Sequence, residues 1–208
     1  ATFAHLSWEL TPLWSVDAGL RIEETRYDYT NRTGDGSACT PSASACRFYR
    51  PASRKDSFAD WTGNVAVSRH TDTTTLYGRL AKGFRVPQAT ELYRLQSGQA
   101  VAEIDAETGD SVEFGIRNHS EHLSYDLSAY LMSKRDVIFQ DRDRYNVSGA
   151  KTTHRGIEGT LQWQLSSIWS IGGNASYARH HYDSDIQILG SRGSIEGNDI
   201  DTAPRHFG

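Results

Sequence analysis

The run Trp14-Ser15-Val16-Asp17-Ala18-Gly19-Leu20-Arg21-Ile22-Glu23 decides the fold class. Successive side chains of an extended strand point to opposite faces. Trp14, Val16, Ala18, Leu20 and Ile22 therefore share one face, and Ser15, Asp17, Gly19, Arg21 and Glu23 share the other. Wound as a helix, the same residues would bring Arg21 and Glu23 onto the apolar side, and the internal glycine would weaken it. The run is a strand with one apolar and one polar face.

Working outward, the same period of two returns along the chain. Ala59, Trp61, Gly63, Val65 and Val67 form one apolar set, with Asp60, Thr62, Asn64, Ser68 and His70 opposite. Leu76, Gly78 and Leu80 continue to Phe84 and Val86, with Lys82 as an interruption. Val112, Phe114 and Ile116 follow, then Leu123, Tyr125, Leu127, Ala129 and Leu131. Ile157, Gly159, Leu161, Trp163 and Leu165 make another set, and Trp169, Ile171, Gly173, Ala175 and Tyr177 the last complete one. With the strand pattern in which the chain begins, before Thr11, that is about eight strands, with a ninth beginning near Ala203.

The connections carry a second pattern. Short turns are expected at Thr11-Pro12-Leu13, Thr71-Asp72-Thr73, residues 118–122 and Ser166-Ser167; long polar connections are expected over 30–56, 87–110, 141–146 and 184–202. Short and long links alternate without exception. A meander crossing a membrane does this, with tight turns at one rim and long loops at the other. The Greek-key links of a soluble sandwich mix lengths at both ends. Trp14, Trp163 and Trp169 all sit beside short turns, where an interfacial aromatic girdle would lie.

Composition is compatible with both a soluble β domain and such a wall. Of 208 residues, 37% are hydrophobic and 23% charged, and mean hydropathy is −0.60. The longest apolar run is the four residues Ala129 to Met132, far short of the ~20 that a membrane helix needs. A transmembrane strand hides its lipid face by alternation, so low hydropathy does not exclude it. A net charge of −4 lacks the basic footprint of a nucleic-acid partner. Cys39 and Cys46 lie in one polar stretch and are expected to close a small loop disulfide, as in an oxidising compartment.

The segment Tyr77-Gly78-Arg79-Leu80-Ala81-Lys82-Gly83-Phe84-Arg85-Val86-Pro87, followed by Glu91-Leu92-Tyr93, resembles a signature of TonB-dependent outer-membrane receptors. In that family an aromatic-rich strand ends in Gly-Phe-Arg-x-Pro, with Glu-Leu-Tyr shortly after. Two more resemblances follow in the family's order. Glu107-Thr108 with Glu113-Phe114-Gly115-Ile116 looks like the next descending strand, although Asp105-Ala106 stands where Lys-Pro is usual; Arg155-Gly156-Ile157-Glu158-Gly159 looks like a Gly-Val-Glu strand. The local logic is physical as well. Phe84 is expected to face lipid and Arg85 the lumen, and Pro87 has no N–H to give a ladder.

The resemblance implies an all-β, antiparallel, up-and-down transmembrane barrel of roughly 22 strands. Residues 1–208 would form part of that single barrel domain, with the plug and the remaining strands outside it. It further implies a receptor, not an enzyme, that takes up a scarce ligand such as a ferric siderophore. Its partners would be outer-membrane lipid and the TonB complex, the latter through the missing plug, and no cofactor is implied. In external loops, Tyr27, Tyr29, Arg47, Tyr49, Arg142, Arg144, Tyr145, His181 and Tyr182 are the candidates to hold a ligand. Arginine and aromatic side chains together can grip an anionic aromatic chelate. His180 and His181 cannot jointly chelate one ion from a regular strand, since neighbours point apart, and no zinc, phosphate-loop or nucleophile motif is present. The competing readings are a passive porin, a barrel enzyme using Asp183 with His180 or His181, and a soluble β-sandwich binding module.

Overall fold

The computed structural model describes residues 1–32, 36–37, 48–200 and 206–207. In chain order the elements are β1 (Thr2–Thr11), β2 (Trp14–Tyr29), β3 (Gly36–Ser37), β4 (Phe48–Arg50), β5 (Arg54–His70), β6 (Thr74–Arg85), α1 (Ala89–Tyr93), β7 (Leu95–Gln96), β8 (Glu107–His119), β9 (Leu123–Gln140), β10 (Asn146–Gln164), β11 (Ser170–Tyr182) and β12 (His206–Phe207). One nine-stranded antiparallel sheet runs β1-β2-β5-β6-β8-β9-β10-β11-β12, and a small second sheet runs β3-β4-β7. Each strand of the large sheet pairs with the sheet's next strand in chain order. This is an up-and-down meander, as the alternating links predicted.

Pairing fixes the faces. Val16 lies opposite Val67, Leu20 opposite Gly63, and Ile22 opposite Trp61. Directly opposed residues share a face, so the apolar sets of consecutive strands join into one surface. Leu20, Ile22, Trp61, Leu80, Phe114, Leu131, Ile157 and Leu161 on that surface are 43% to 65% exposed. A continuous apolar face of this size is costly in water. Against lipid it is the expected outer face of a barrel wall. Trp14, Trp163 and Trp169, beside the short turns, are 42%, 47% and 68% exposed, which is the girdle position foreseen for them.

Trp61 marks the other rim of the same band. From Trp14 to Ile22, its partner, is about 26 Å along the strand. At the ~40° tilt usual in such walls this spans about 20 Å. Lys82, which breaks the alternation, is explained here: its Nζ lies 4.3 Å from the Trp61 ring centre and 2.7 Å from Asp60. The apolar stem covers the band while the charged head reaches its edge.

The structure corrects three details. The link expected over 141–146 is only residues 141–145, because β9 and β10 run 18 and 19 residues, well past the ~10 needed to cross lipid. Bulges in their pairing near Ala150, with Asp136 at a φ of 55°, let the ladder bend and continue above the band. The connection expected over 87–110 as polar loop contains α1, and β8 already begins at Glu107. Finally, several residues expected in loops are strand residues: Tyr27 and Tyr29 of β2, Tyr49 of β4, and His181 and Tyr182 of β11. Cys39, Cys46 and Arg47 lie outside the described residues. No described helix is long and apolar enough to cross a membrane.

Candidate functional site

The inner face carries the polar row. Arg21 pairs with Glu23, and Tyr77 donates its hydroxyl to Glu113 at 2.8 Å. The Arg117 guanidinium lies 4.5 Å from the Tyr77 ring centre and 2.7 Å from Asp126. Two glycines of the resembling motifs have a steric reason on this face. Gly115 stands directly opposite Tyr77, and Gly156 directly opposite Tyr130. At each, an added Cβ would collide with the tyrosine, and at Gly156 also with the Tyr177 carbonyl, 2.8 Å away. Each tyrosine lies flat along the wall over a glycine. Bare backbone there keeps the inner surface smooth.

At the long-link rim the motif residues converge. Arg85, at the end of β6, is directly opposite Glu107. Its guanidinium donates to Glu107 at 2.7 and 3.0 Å and to Glu91 at 3.1 and 3.2 Å. The Glu91 carboxylate also accepts the Gln88 N–H at 2.6 Å, capping α1. Glu107 accepts the Ile138 N–H at 2.8 Å. Burial pushes the Glu107 carboxyl upward, but the Arg85 hydrogen bonds, the Ile138 N–H and the nearby positive charge outweigh it, leaving it below the usual carboxylate range. Arg85 is shifted upward by the Glu107 hydrogen bond first. Arg85 and Glu91 of the first motif and Glu107 of the second thus make one ionic clasp.

The clasp closes a small apolar core beneath the second long link. Leu92, Tyr93, Leu95, Ala102 and Ile104 are buried, with Tyr27, Tyr29, Tyr49, Phe58 and Ile138 packed against them. Tyr27 and Tyr29 lie in the same strand face as Arg21 and Glu23, so this core folds over the inner side of the wall. Tyr29 stacks on Tyr93 with ring centres 4.3 Å apart and planes at 4°. Tyr27 donates its hydroxyl to the Pro87 carbonyl at 2.9 Å. The Tyr93 hydroxyl donates to Asp56 at 2.7 Å; burial first, then that carboxylate, pushes the phenol well above its ordinary value.

This cap is fastened on two further sides. Gln99 and Asn146, both buried, exchange two hydrogen bonds of 2.8 and 3.0 Å, and Asn146 donates to the Glu91 carbonyl at 2.9 Å. Gly98, at a φ of +99°, leaves room for the Tyr145 hydroxyl, which would lie 2.5 Å from a Cβ there. On the other side β4 pairs with both β3 and β7, joining the first long link to the second.

The expected ligand residues are distributed accordingly. Tyr27, Tyr29 and Tyr49 come together, inside the cap. Arg142 and Arg144 are exposed at the β9–β10 tip, beside Tyr145. Arg94, on the cap, is exposed with its guanidinium 4.1 Å from the Phe48 ring centre, and it was not among the residues singled out from sequence. His181 and Tyr182 stand apart, where residues 183–200 fold back along β11: His181 faces Asp199 at 3.1 Å, and the Tyr182 N–H donates to the Asn198 carbonyl. Asp183 accepts the Thr153 hydroxyl at 2.5 Å and no described histidine is within hydrogen-bond distance of it, so the pair of Asp183 with His180 or His181 is not assembled. Among the described residues no group of three metal-ligating side chains converges.

His180 turns to the face opposite His181, as strand geometry demands, and meets His154 with their Nδ1 atoms 2.7 Å apart. The other His154 nitrogen is 2.9 Å from the Thr152 hydroxyl. This pair lies above the apolar band. Burial, then Lys134 and His180, lower the His154 pKa to about 4. A histidine held neutral in the folded state binds fewer protons than when unfolded between about 4 and its ordinary 6.5. Its stabilisation is therefore complete above pH ~6.5 and is lost as pH falls toward about 4. Hydrogen exchange at the upper ends of β10 and β11 should speed up across that window, and a His154→Gln variant should flatten the dependence. A pH-independent exchange rate in the unaltered protein would contradict the buried neutral pair.

Comparison with known proteins agrees with this geometry. The family model "TonB dependent receptor-like, beta-barrel" matches residues 1–208. No curated protein sequence matches. Among solved structures, the copper transporter OprC superposes with a TM-score of 0.74 at 21% identity, covering 90% of this chain and 30% of its own. The ferric yersiniabactin uptake receptor FyuA from Yersinia pestis gives 0.69 at 17% identity, covering 98% and 29%. The ferric-catecholate import receptor Fiu from E. coli K12 gives 0.70 at 16% identity, covering 98% and 30%. The chain thus spans about 30% of the length of each solved structure.

Proposed function

Because the chain belongs to the TonB-dependent receptor β-barrel family over residues 1–208, and so to the bacterial outer membrane, we propose that it is part of an active-transport receptor for a ferric siderophore. The family match carries this reading. In it, the remaining strands and a plug complete a larger barrel, and TonB supplies the energy through that plug. The protein transports and does not catalyse. The copper transporter among its structural neighbours supports a metal-bearing cargo as broadly as the two ferric receptors support a siderophore.

The capped rim suits an anionic chelate. Arg94, Arg142 and Arg144 are exposed at the cap and the neighbouring tip, and planar guanidinium groups match carboxylate and phenolate oxygens. Tyr27, Tyr29 and Tyr49 serve the same site from beneath by holding the cap that carries Arg94. His181 and Tyr182 would meet the ligand only from the third long link.

Growth rescue tests the reading. A strain lacking other iron receptors and carrying the full-length protein is grown iron-limited with ferric siderophores, haem, cobalamin or copper. Rescue by a ferric siderophore that requires TonB is expected. An Arg142→Ala/Arg144→Ala variant should then need about tenfold more siderophore, the loss of roughly one charge-assisted contact. Rescue by none of the siderophores, or rescue independent of TonB, would sink the proposal.

A further inference from the structure

Two arginines on the outer face break the pattern of charge pairing above the apolar band. Arg155 and Arg179 stand directly opposite each other on β10 and β11. Like charges so placed repel and destabilise the sheet. Three other outer-face cations at this rim do meet a carboxylate: Arg26 meets Glu24 at 2.7 Å, Arg135 meets Asp110 at 2.6 Å, and Lys55 meets Asp28 at 2.9 Å. Arg155 has no hydrogen bond or ion pair among the described residues. Arg179 donates its Nε to the Tyr177 hydroxyl at 2.8 Å, which holds the guanidinium, and its terminal nitrogens have no carboxylate partner among the described residues.

The surface immediately below has the shape of an acyl chain. Beneath the arginines come Ile157 and Tyr177, opposed on the same two strands, and then Gly159 opposite Ala175. Ala129, opposed to Phe114 on one side and Ile157 on the other, extends the low ground. Phe114 and Ile157, 65% and 58% exposed, stand up around it, and a Leu127 methyl lies across Gly159, 2.8 Å from where a Cβ would be, as part of its floor. A dent of glycine and alanine walled by large apolar groups therefore runs down the lipid side, with two cations at its head.

We propose that Arg155, Arg179 and this dent form a binding site for a phosphorylated acyl lipid of the leaflet at the long-link rim. The two guanidinium groups take the phosphate, and one acyl chain lies along Ile157 and Tyr177 into the dent over Gly159 and Ala175. The anion removes the Arg155–Arg179 repulsion, so the lipid and the wall stabilise each other. Nothing in this depends on which ligand the receptor imports.

Native mass spectrometry of the full-length protein in a mild non-ionic detergent tests it, with bis-phosphorylated lipid A, its dephosphorylated form and inorganic phosphate as probes. The phosphorylated lipid should be retained, and the Arg155→Gln/Arg179→Gln variant should hold it about tenfold more weakly. An Arg155→Lys/Arg179→Lys variant, keeping both charges, should recover most of the retention. Equal retention of the dephosphorylated lipid, unchanged retention in the glutamine variant, or inorganic phosphate binding as tightly as the lipid would overturn the proposal. Should the glutamine variant not form a heat-modifiable barrel, the comparison of the two lipids on the unaltered protein decides.

Discussion

Replacing both Leu92 and Leu95 by alanine is expected to release the cap from the wall while leaving the barrel strands paired. Both side chains are essentially inaccessible, at 1% and 0% exposure, and they form the centre of the buried cluster beneath the second long link. Truncating one fully buried leucine costs about 2 to 5 kcal/mol. The two are neighbours in one small core, so their effects will not add cleanly, and about 4 to 8 kcal/mol is the scale. A unit this small has no reserve of that size. Amide exchange over residues 86–106 should rise by roughly a thousandfold or more, since every 1.4 kcal/mol is tenfold. Heat-modifiable mobility on gels should stay unchanged, because the strand ladders do not pass through this core. Exchange over residues 86–106 that stayed as slow as in the unaltered protein would show that the clasp and the Gln99–Asn146 bonds alone hold the cap.

Arg85→Ala attacks the same cap through charge. Breaking a fully buried ion pair costs about 3 to 5 kcal/mol, but the Arg85 side chain is 38% exposed. Screening reduces the expectation to about 1 to 3 kcal/mol. The change also has a direction in pH. Glu107, held below the usual carboxylate range in the folded protein, contributes stability that is present above its unfolded pKa and is lost as pH falls through the folded one. Without Arg85, burial is opposed only by the Ile138 N–H and more distant charge, so the carboxyl rises and the loss begins at higher pH. Proteolysis of residues 86–106, followed from pH 7 to pH 4, should accelerate earlier in the variant. A Glu107→Gln exchange in the Arg85→Ala background should remove that difference, and coincident curves for Arg85→Ala and the unaltered protein would refute the clasp.

These outcomes separate what sequence could say from what it could not. Alternation made the wall legible: each apolar set from Trp14–Ile22 onward lies on the outer face, and the turn-side tryptophans are exposed there. Period and turn residues are local properties, read within one strand and its neighbour. The cap was not legible, because most of its side-chain hydrogen bonds span 22 to 60 residues: Arg85 with Glu107, Asn146 with Glu91, and Tyr27 with Pro87. The motifs flagged Arg85, Glu91 and Glu107 singly and gave no sign that they meet. For the same reason Tyr27 and Tyr29, chosen as exposed ligand groups, were not recognisable as apolar supports; a tyrosine serves either role, and only the packing of Tyr93 against them distinguishes the two. His154 and His180 lay 26 residues apart on strands whose register the sequence does not state.

The small sheet has an evolutionary consequence. Since β4 is laddered to β3 on one edge and to β7 on the other, the first two long links share backbone hydrogen bonds that no side-chain change can retune. An insertion or a new sequence in one link shifts the strand on which the other depends. Transplanting either link alone into a related receptor should leave an unmatched edge, while transplanting both as a set should preserve the ladder. Recognition at this rim would therefore be inherited in two-link blocks, and diversification of ligand preference would proceed by exchange of the pair.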